Sequence, residues 1–182
     1  MSITSKIQYS YGKTAEAFSK SHFVDTIKMA NKQSKIAKTE VDDCVVRAFM
    51  AALDLSYEDA HSWVKTKLKR KDKKGTYVEY YAKNIIGKTK NGKKISWVGS
   101  HPSVVTRNKM SYGLPGNELI NKKYKNPTGY TLKSFIESHP TGSFVVLVVG
   151  HAVAVVNGVL YGNSDDQYYG IYRSVHCAFE CK

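Results

Sequence analysis

The clearest hydrophobic periodicity lies in residues 42–53, where Val46, Phe49, Met50 and Leu53 recur at i, i+3, i+4 and i+7. That spacing lines up one apolar face and predicts a helix. Asp42 or Asp43 stands where it can cap the helix, and Ala48, Ala51 and Ala52 leave room for a close neighbour. A second helical period follows Ser56. Ser56-Tyr57-Glu58-Asp59 resembles a capping box, and Ala60, Trp63, Val64 and Leu68 carry the pattern on. A short helix is predicted over 131–138, with Leu132, Phe135 and Ile136 inward and Pro140 and Gly142 beyond its end. The pattern then changes to valine-rich apolar runs at 144–149 and 151–156, too short for buried helices and read as strands. Asn157-Gly158 between apolar flanks predicts a tight hairpin into a strand at 159–162, and 168–175 reads as one more strand.

The remaining segments carry weaker patterns. Residues 14–18 and 23–29 read as short helices within a polar N-terminal segment. Residues 83–130, rich in Gly, Asn, Lys and Pro, read as irregular connection, relieved by a turn at Asn91-Gly92 and a short strand at 95–98. Helices first and an antiparallel sheet later define an α+β class. The expected organisation is a polar segment over 1–38 and a single α+β domain over 39–182, its N-terminal helices packed on a C-terminal antiparallel sheet.

The chain has 182 residues, 42% hydrophobic and 24% charged, enough for one domain with a real core. Its apolar run at 144–156 falls short of a spanning helix, and the N-terminus lacks the apolar stretch of a signal peptide. Three cysteines, Cys44, Cys177 and Cys181, do not make a disulfide framework. The expected setting is therefore a reducing cytoplasm. The formal net charge of +13 favours anionic partners. The densest charge lies in residues 65–74, with Lys65, Lys67, Lys69, Arg70, Lys71, Lys73 and Lys74 against a single Asp72. This run reads first as a solvated helix end. It also matches a phosphate-contacting patch, for which Tyr77, Tyr80 and Tyr81 would be stacking groups unless they pack into a core. His176, Cys177 and Cys181 fall short of the four ligands that structural zinc takes, so neither metal nor cofactor is expected.

The chemistry-bearing pattern is Cys44 at the start of the first strong helix and His151 in the valine-rich β region. A helix N-terminus favours a thiolate over a thiol, and an imidazole can complete an ion pair with it. Asp42 and Asp43 oppose a second anion. Read alone, Cys44 is equally a small buried hydrophobe on an amphipathic helix. His151 needs a hydrogen-bond partner among its apolar neighbours. Hairpin register about Asn157-Gly158 returns Gly162-Asn163-Ser164-Asp165-Asp166 beside it, although strict pairing puts Asn163 on the opposite face.

Cys44, then His151, then Asn163 or Asp165 resembles the papain-like cysteine peptidase superfamily, whose wider circle includes transglutaminases, arylamine acetyltransferases and bacteriocin-processing peptidases. The segment Asp43-Cys44-Val45-Val46-Arg47-Ala48, with Ser56-Tyr57-Glu58-Asp59-Ala60 after it, is similar to phage-encoded proteins of this type. So is Gly142-Ser143-Phe144-Val145-Val146 followed by Gly150-His151-Ala152. The resemblance covers residues 40–60 and 131–166. It implies a papain-like fold and a covalent thioester mechanism on an amide, isopeptide or thioester bond of a protein or peptide, in a host cytoplasm if phage-encoded. Cys44 would be the nucleophile and His151 the base. Asn163, or failing that Asp165, would orient the imidazole. The oxyanion hole would use the Cys44 backbone N–H and one side-chain donor. The sequence departs from the family at 37–41, which lacks the upstream Gln, leaving only the more distant Gln33. It departs again at Gly162, where related phage proteins carry an acid. The alternative expectation is a non-enzymatic basic protein that binds nucleic acid or a host protein on a degenerate form of the same fold.

Overall fold

The computed structural model describes residues 2–8, 14–123, 125 and 128–182. In chain order the elements are β1 (Thr4–Gln8), β2 (Thr14–Phe18), β3 (Phe23–Asp25), α1 (Thr26–Gln33), α2 (Cys44–Leu53), α3 (Tyr57–Lys67), α4 (Val78–Tyr81), β4 (Thr89–Lys90), β5 (Lys93–Ser100), α5 (Pro102–Tyr112), α6 (Leu132–Ser138), β6 (Ser143–Val148), β7 (His151–Val156), β8 (Val159–Gly162), α7 (Asp166–Tyr169) and β9 (Val175–Cys181). The fold is α+β. N-terminal helices pack on a curled seven-stranded sheet in the order β3-β8-β7-β6-β9-β5-β4. The sheet is mixed rather than purely antiparallel, because β3 joins β8 in parallel, with Phe23 opposite Leu160.

The strongest patterns form the elements they predict. In α2 every residue from Val45 to Leu53 is buried, as befits a helix covered on all sides. Its C-terminal carbonyls, which have no partners within the helix, are taken by distant side chains. Asn91 Nδ2 donates to the Leu53 and Asp54 oxygens at 2.8 Å each, and Lys93 Nζ donates to Ala52 O at 2.9 Å. Ser56 caps α3, accepting from the Asp59 N–H, and α6 opens with a full capping box between Thr131 and Ser134. Asn91-Gly92 and Asn157-Gly158 both take left-handed φ angles, 50° and 72° in the first and 48° and 78° in the second. These are the angles of the two-residue hairpin turn that such pairs favour.

Other expectations are corrected. Residues 14–18 form strand β2, not a helix, because β1 supplies a partner and Ala17 and Phe18 find a core. Of the stretch 23–29, the first residues extend as β3 and helix α1 begins only at Thr26, capped by Asp25. The supposedly irregular middle contains α5, started by His101 and Pro102 and closed by Gly113 at φ 59°. The strand expected at 168–175 is α7 followed by a 3-10 turn at Gly170–Tyr172, and extended structure resumes only at Val175. Residues 175–181 form strand β9. It lies between β6 and β5 with Cys177 and Cys181 buried.

The sheet separates two cores. On one face Val145, Leu147, Ala152, Ala154 and Phe179 meet α2 and α3, where Phe49 and Trp63 pack with ring centroids 5.1 Å apart. On the other, Val146, Val153 and Val155 meet Leu132, Phe135 and Ile171. α2 is thereby pinned with its N-terminal end beside the start of β7. No helix among the described residues is long and apolar enough to cross a membrane.

Candidate active site

Cys44 is the first residue of α2 and His151 the first residue of β7, and the fold brings them into contact. The half-buried Cys44 sulfur faces the His151 ring and the Ala152 backbone N–H, close enough for both to favour its thiolate. Both residues line a cleft of about 660 Å³, which the segment from Lys74 to Tyr77 and the first residues of α4, Val78 and Glu79, also line. Burial pushes the Cys44 thiol up, but His151, the Ala152 N–H and the Arg47 charge together outweigh it and hold the thiol below its ordinary range. Burial likewise disfavours a charged His151. The carboxylate of Asp166 and the sulfur of Cys44 overcome this and raise the imidazole to about 9.

The partner of the imidazole is Asp166, not Asn163 or Asp165. Asp166 Oδ2 lies 2.8 Å from His151 Nε2, and the Asp166 side chain is wholly buried. The same oxygen accepts the Asn163 backbone N–H at 2.7 Å, and Oδ1 accepts from Arg173 Nη1 at 2.8 Å. With Nε2 so engaged, Nδ1 is the ring nitrogen left for the thiol. Asp165 points elsewhere, pairing with Arg173 at 3.1 Å. The acid arrives this way because β8 stops at Gly162. The chain then turns, and the first residue of α7 reaches back to the strand end. Gly162 lacks an acid for the same reason: a Cβ there would lie 2.5 Å from Asp166 Oδ2.

The two aspartates before Cys44 do not act as expected. Asp43 occupies the N-cap position without capping α2 through its side chain. Its buried carboxylate accepts from Arg47 Nε at 2.9 Å and from Tyr57 Oη at 2.7 Å, so its charge is already balanced. Arg47 was not foreseen as part of the site. It is 6% exposed, and its Nη1 donates to Thr26 Oγ1 at 3.1 Å and to Asn163 Oδ1 at 2.6 Å. It thereby ties α1, α2 and the segment after β8 together. Asp42 takes a left-handed φ of 51°, a strained conformation for a non-glycine residue directly before the site. Gln33 is exposed and does not line the cleft.

The basic run divides into two kinds of residue. Arg70 is buried, bonded to Glu40 Oε2 at 2.7 Å and to the Val41 carbonyl at 3.1 Å, so it is a structural cation and not a surface contact. Lys65 pairs with Asp72 at 2.7 Å. Ligand atoms of Glu40, His61 and Asp72 lie within 4.8 Å of one another. Both carboxylates already face cations, so the cluster reads as an ion-pair network. Cys177 and Cys181 are buried, and burial pushes both thiols up, Cys181 to about 12. Tyr77 and Tyr80 are not core residues: they are 74% and 64% exposed. Comparison with protein-family models, with curated proteins and with solved structures finds no match in any of the three.

Proposed function

We propose that this chain is a papain-like thiol hydrolase or acyltransferase acting on an amide, isopeptide or thioester bond. One observation carries the reading: the contact chain from the Cys44 sulfur through His151 to the buried carboxylate of Asp166. A thiol held low and an imidazole held high favour the thiolate–imidazolium pair, the reactive form of a cysteine nucleophile. In the first step the sulfur bonds to the carbonyl carbon and the carbonyl electron pair moves onto oxygen. Collapse of that adduct expels the amine or thiol, which takes its proton from His151, and leaves an acyl-thioester on Cys44. Water or an acceptor nucleophile then gives a proton to His151, attacks the thioester and restores the thiol. Asp166 keeps the ring oriented through both steps.

Alkylation by iodoacetamide as a function of pH tests this. The pair exists from the depressed thiol range up to about 9, where His151 loses its proton. Labelling of Cys44 is therefore expected already at pH 6, while Cys177 and Cys181 stay unlabelled in the folded protein. Labelling that rises only with an ordinary thiol pKa of about 8.5 would sink the reading. A second reading, binding of single-stranded nucleic acid, is favoured by exposed Tyr77, which lines the cleft with Lys74, and by exposed Tyr80 packed against it.

A further inference from the structure

Attack on a carbonyl places negative charge on oxygen, and the enzyme reading above requires donors for it. The N-terminus of α2 supplies the backbone part. α1, α3, α5 and α6 all begin with a side-chain cap, whereas α2 begins without one. Its first-turn N–H groups are therefore left without a side-chain acceptor, and Cys44 and Val45 line the cleft. The side-chain part is not supplied by any glutamine of residues 37–41, and Gln33 lies outside the cleft.

Asn163 fits this vacancy. It lines the same cleft as Cys44 and His151. Its own orientation is settled by chemistry: a guanidinium only donates, so the atom 2.6 Å from Arg47 Nη1 is the amide oxygen. The NH₂ group is then the other arm, and among the described residues it donates to no protein acceptor. The residue is fixed at its backbone too, since its N–H is bound to Asp166 Oδ2 at 2.7 Å. Arg47 is held in turn by Asp43 and Thr26. A polar group this firmly oriented with an unused donor at a cleft is preorganised for incoming negative charge.

We propose that Asn163 Nδ2, positioned by Arg47, is the side-chain donor of the oxyanion hole and works with the Cys44 backbone N–H. Asn163 is then a catalytic residue in its own right and not the residue that orients His151. The proposal rests on Cys44 being the nucleophile.

Two reactions of the same thiol separate the alternatives. Acetylation by p-nitrophenyl acetate forms the S–C bond through a tetrahedral oxyanion and expels p-nitrophenolate. Alkylation by iodoacetamide forms an S–CH₂ bond, expels iodide and develops no oxyanion. Asn163→Ala should slow acetylation of Cys44 about a hundredfold and change alkylation by less than about twofold, each rate taken on its own pH plateau. Asn163→Asp keeps an acceptor for Arg47 but removes the donor, and should reproduce the same split. Equal slowing of both reactions would make Asn163 a positioning residue and overturn the proposal, as would acetylation at the wild-type rate. A wild-type protein showing neither a nitrophenolate burst nor low-pH alkylation would instead bring down the thiol-enzyme reading beneath it.

Discussion

At the scale of single residues, Gly162 and Asp166 form one device. The carboxylate occupies the space that a side chain at 162 would fill, with a hypothetical Cβ only 2.5 Å from Oδ2 and 2.9 Å from the Asp166 Cβ. Gly162→Ala must therefore push Asp166 off His151. A hydrogen bond to a charged group is worth about 1.5–3 kcal/mol, so alkylation of Cys44 at pH 6 should fall about 10- to 100-fold. Asp166→Asn should lower it similarly, and Asp165→Asn should leave it unchanged. Cys44 and His151 were legible as candidates in the sequence because each sits at the first residue of a strongly patterned element. The acid was not, because register arithmetic carries the ladder past 162, whereas the β7–β8 pairing ends with Ala154 opposite Tyr161 and the strand ends at Gly162. Asp165 and Asp166 are neighbours in sequence. Only the turn of α7 decides which of them faces the ring.

At the scale of elements, α2 is both the central helix and the carrier of Cys44. Its buried ion pair, Arg47 with Asp43, sits one turn inside the N-terminus with side chains 7% and 9% exposed. Arg47→Met would keep the bulk and strand the Asp43 carboxylate with Tyr57 alone. Loss of one partner of a buried pair costs about 3–5 kcal/mol, which denaturant unfolding should register directly. The helix itself was readable from Val46, Phe49, Met50 and Leu53, since one apolar face is a local signal. Strand β2 and helix α5 were not. β2 depends on pairing with β1, and α5 buries only Val104 and Asn108, too little to leave a periodic apolar face. The end of the chain misled in the opposite sense: the tyrosines of 168–172 favour strands, but α7 forms because Asp166 and Ile171 are buried.

At the scale of the whole molecule, the charge of +13 resides mostly on exposed lysines, with Arg70 withdrawn into the fold. The rings of Tyr77, Tyr80 and Tyr112 pack in series, with centroids 5.9 Å and 4.7 Å apart, and Tyr77 and Lys74 line the cleft. Glu79 lines it as well and opposes an anion there. If this surface takes single-stranded nucleic acid, a fluorescent oligonucleotide should bind with an affinity that falls steeply with salt. Tyr80→Ala should then cost about 1–3 kcal/mol of that affinity. Absence of binding at low salt would exclude the reading while leaving the thiol chemistry untouched. The α+β class was legible from the order of periodic segments. The parallel edge was not, because β3 is three residues long and carries no pattern of its own.

The place of β9 in the sheet has a consequence for how the molecule assembles. β6, β7 and β8 follow one another through two short turns and can pair early. β5 does not pair with that meander: β9 lies between them, with Val145 opposite Phe179 on one side and Ile95 opposite Cys181 on the other. Contacts of such long sequence separation close slowly. The meander that holds His151 can therefore form first, whereas the docking of α2, which brings Cys44 to it, and the pairing of β5 with β9 both wait on contacts between segments far apart in sequence.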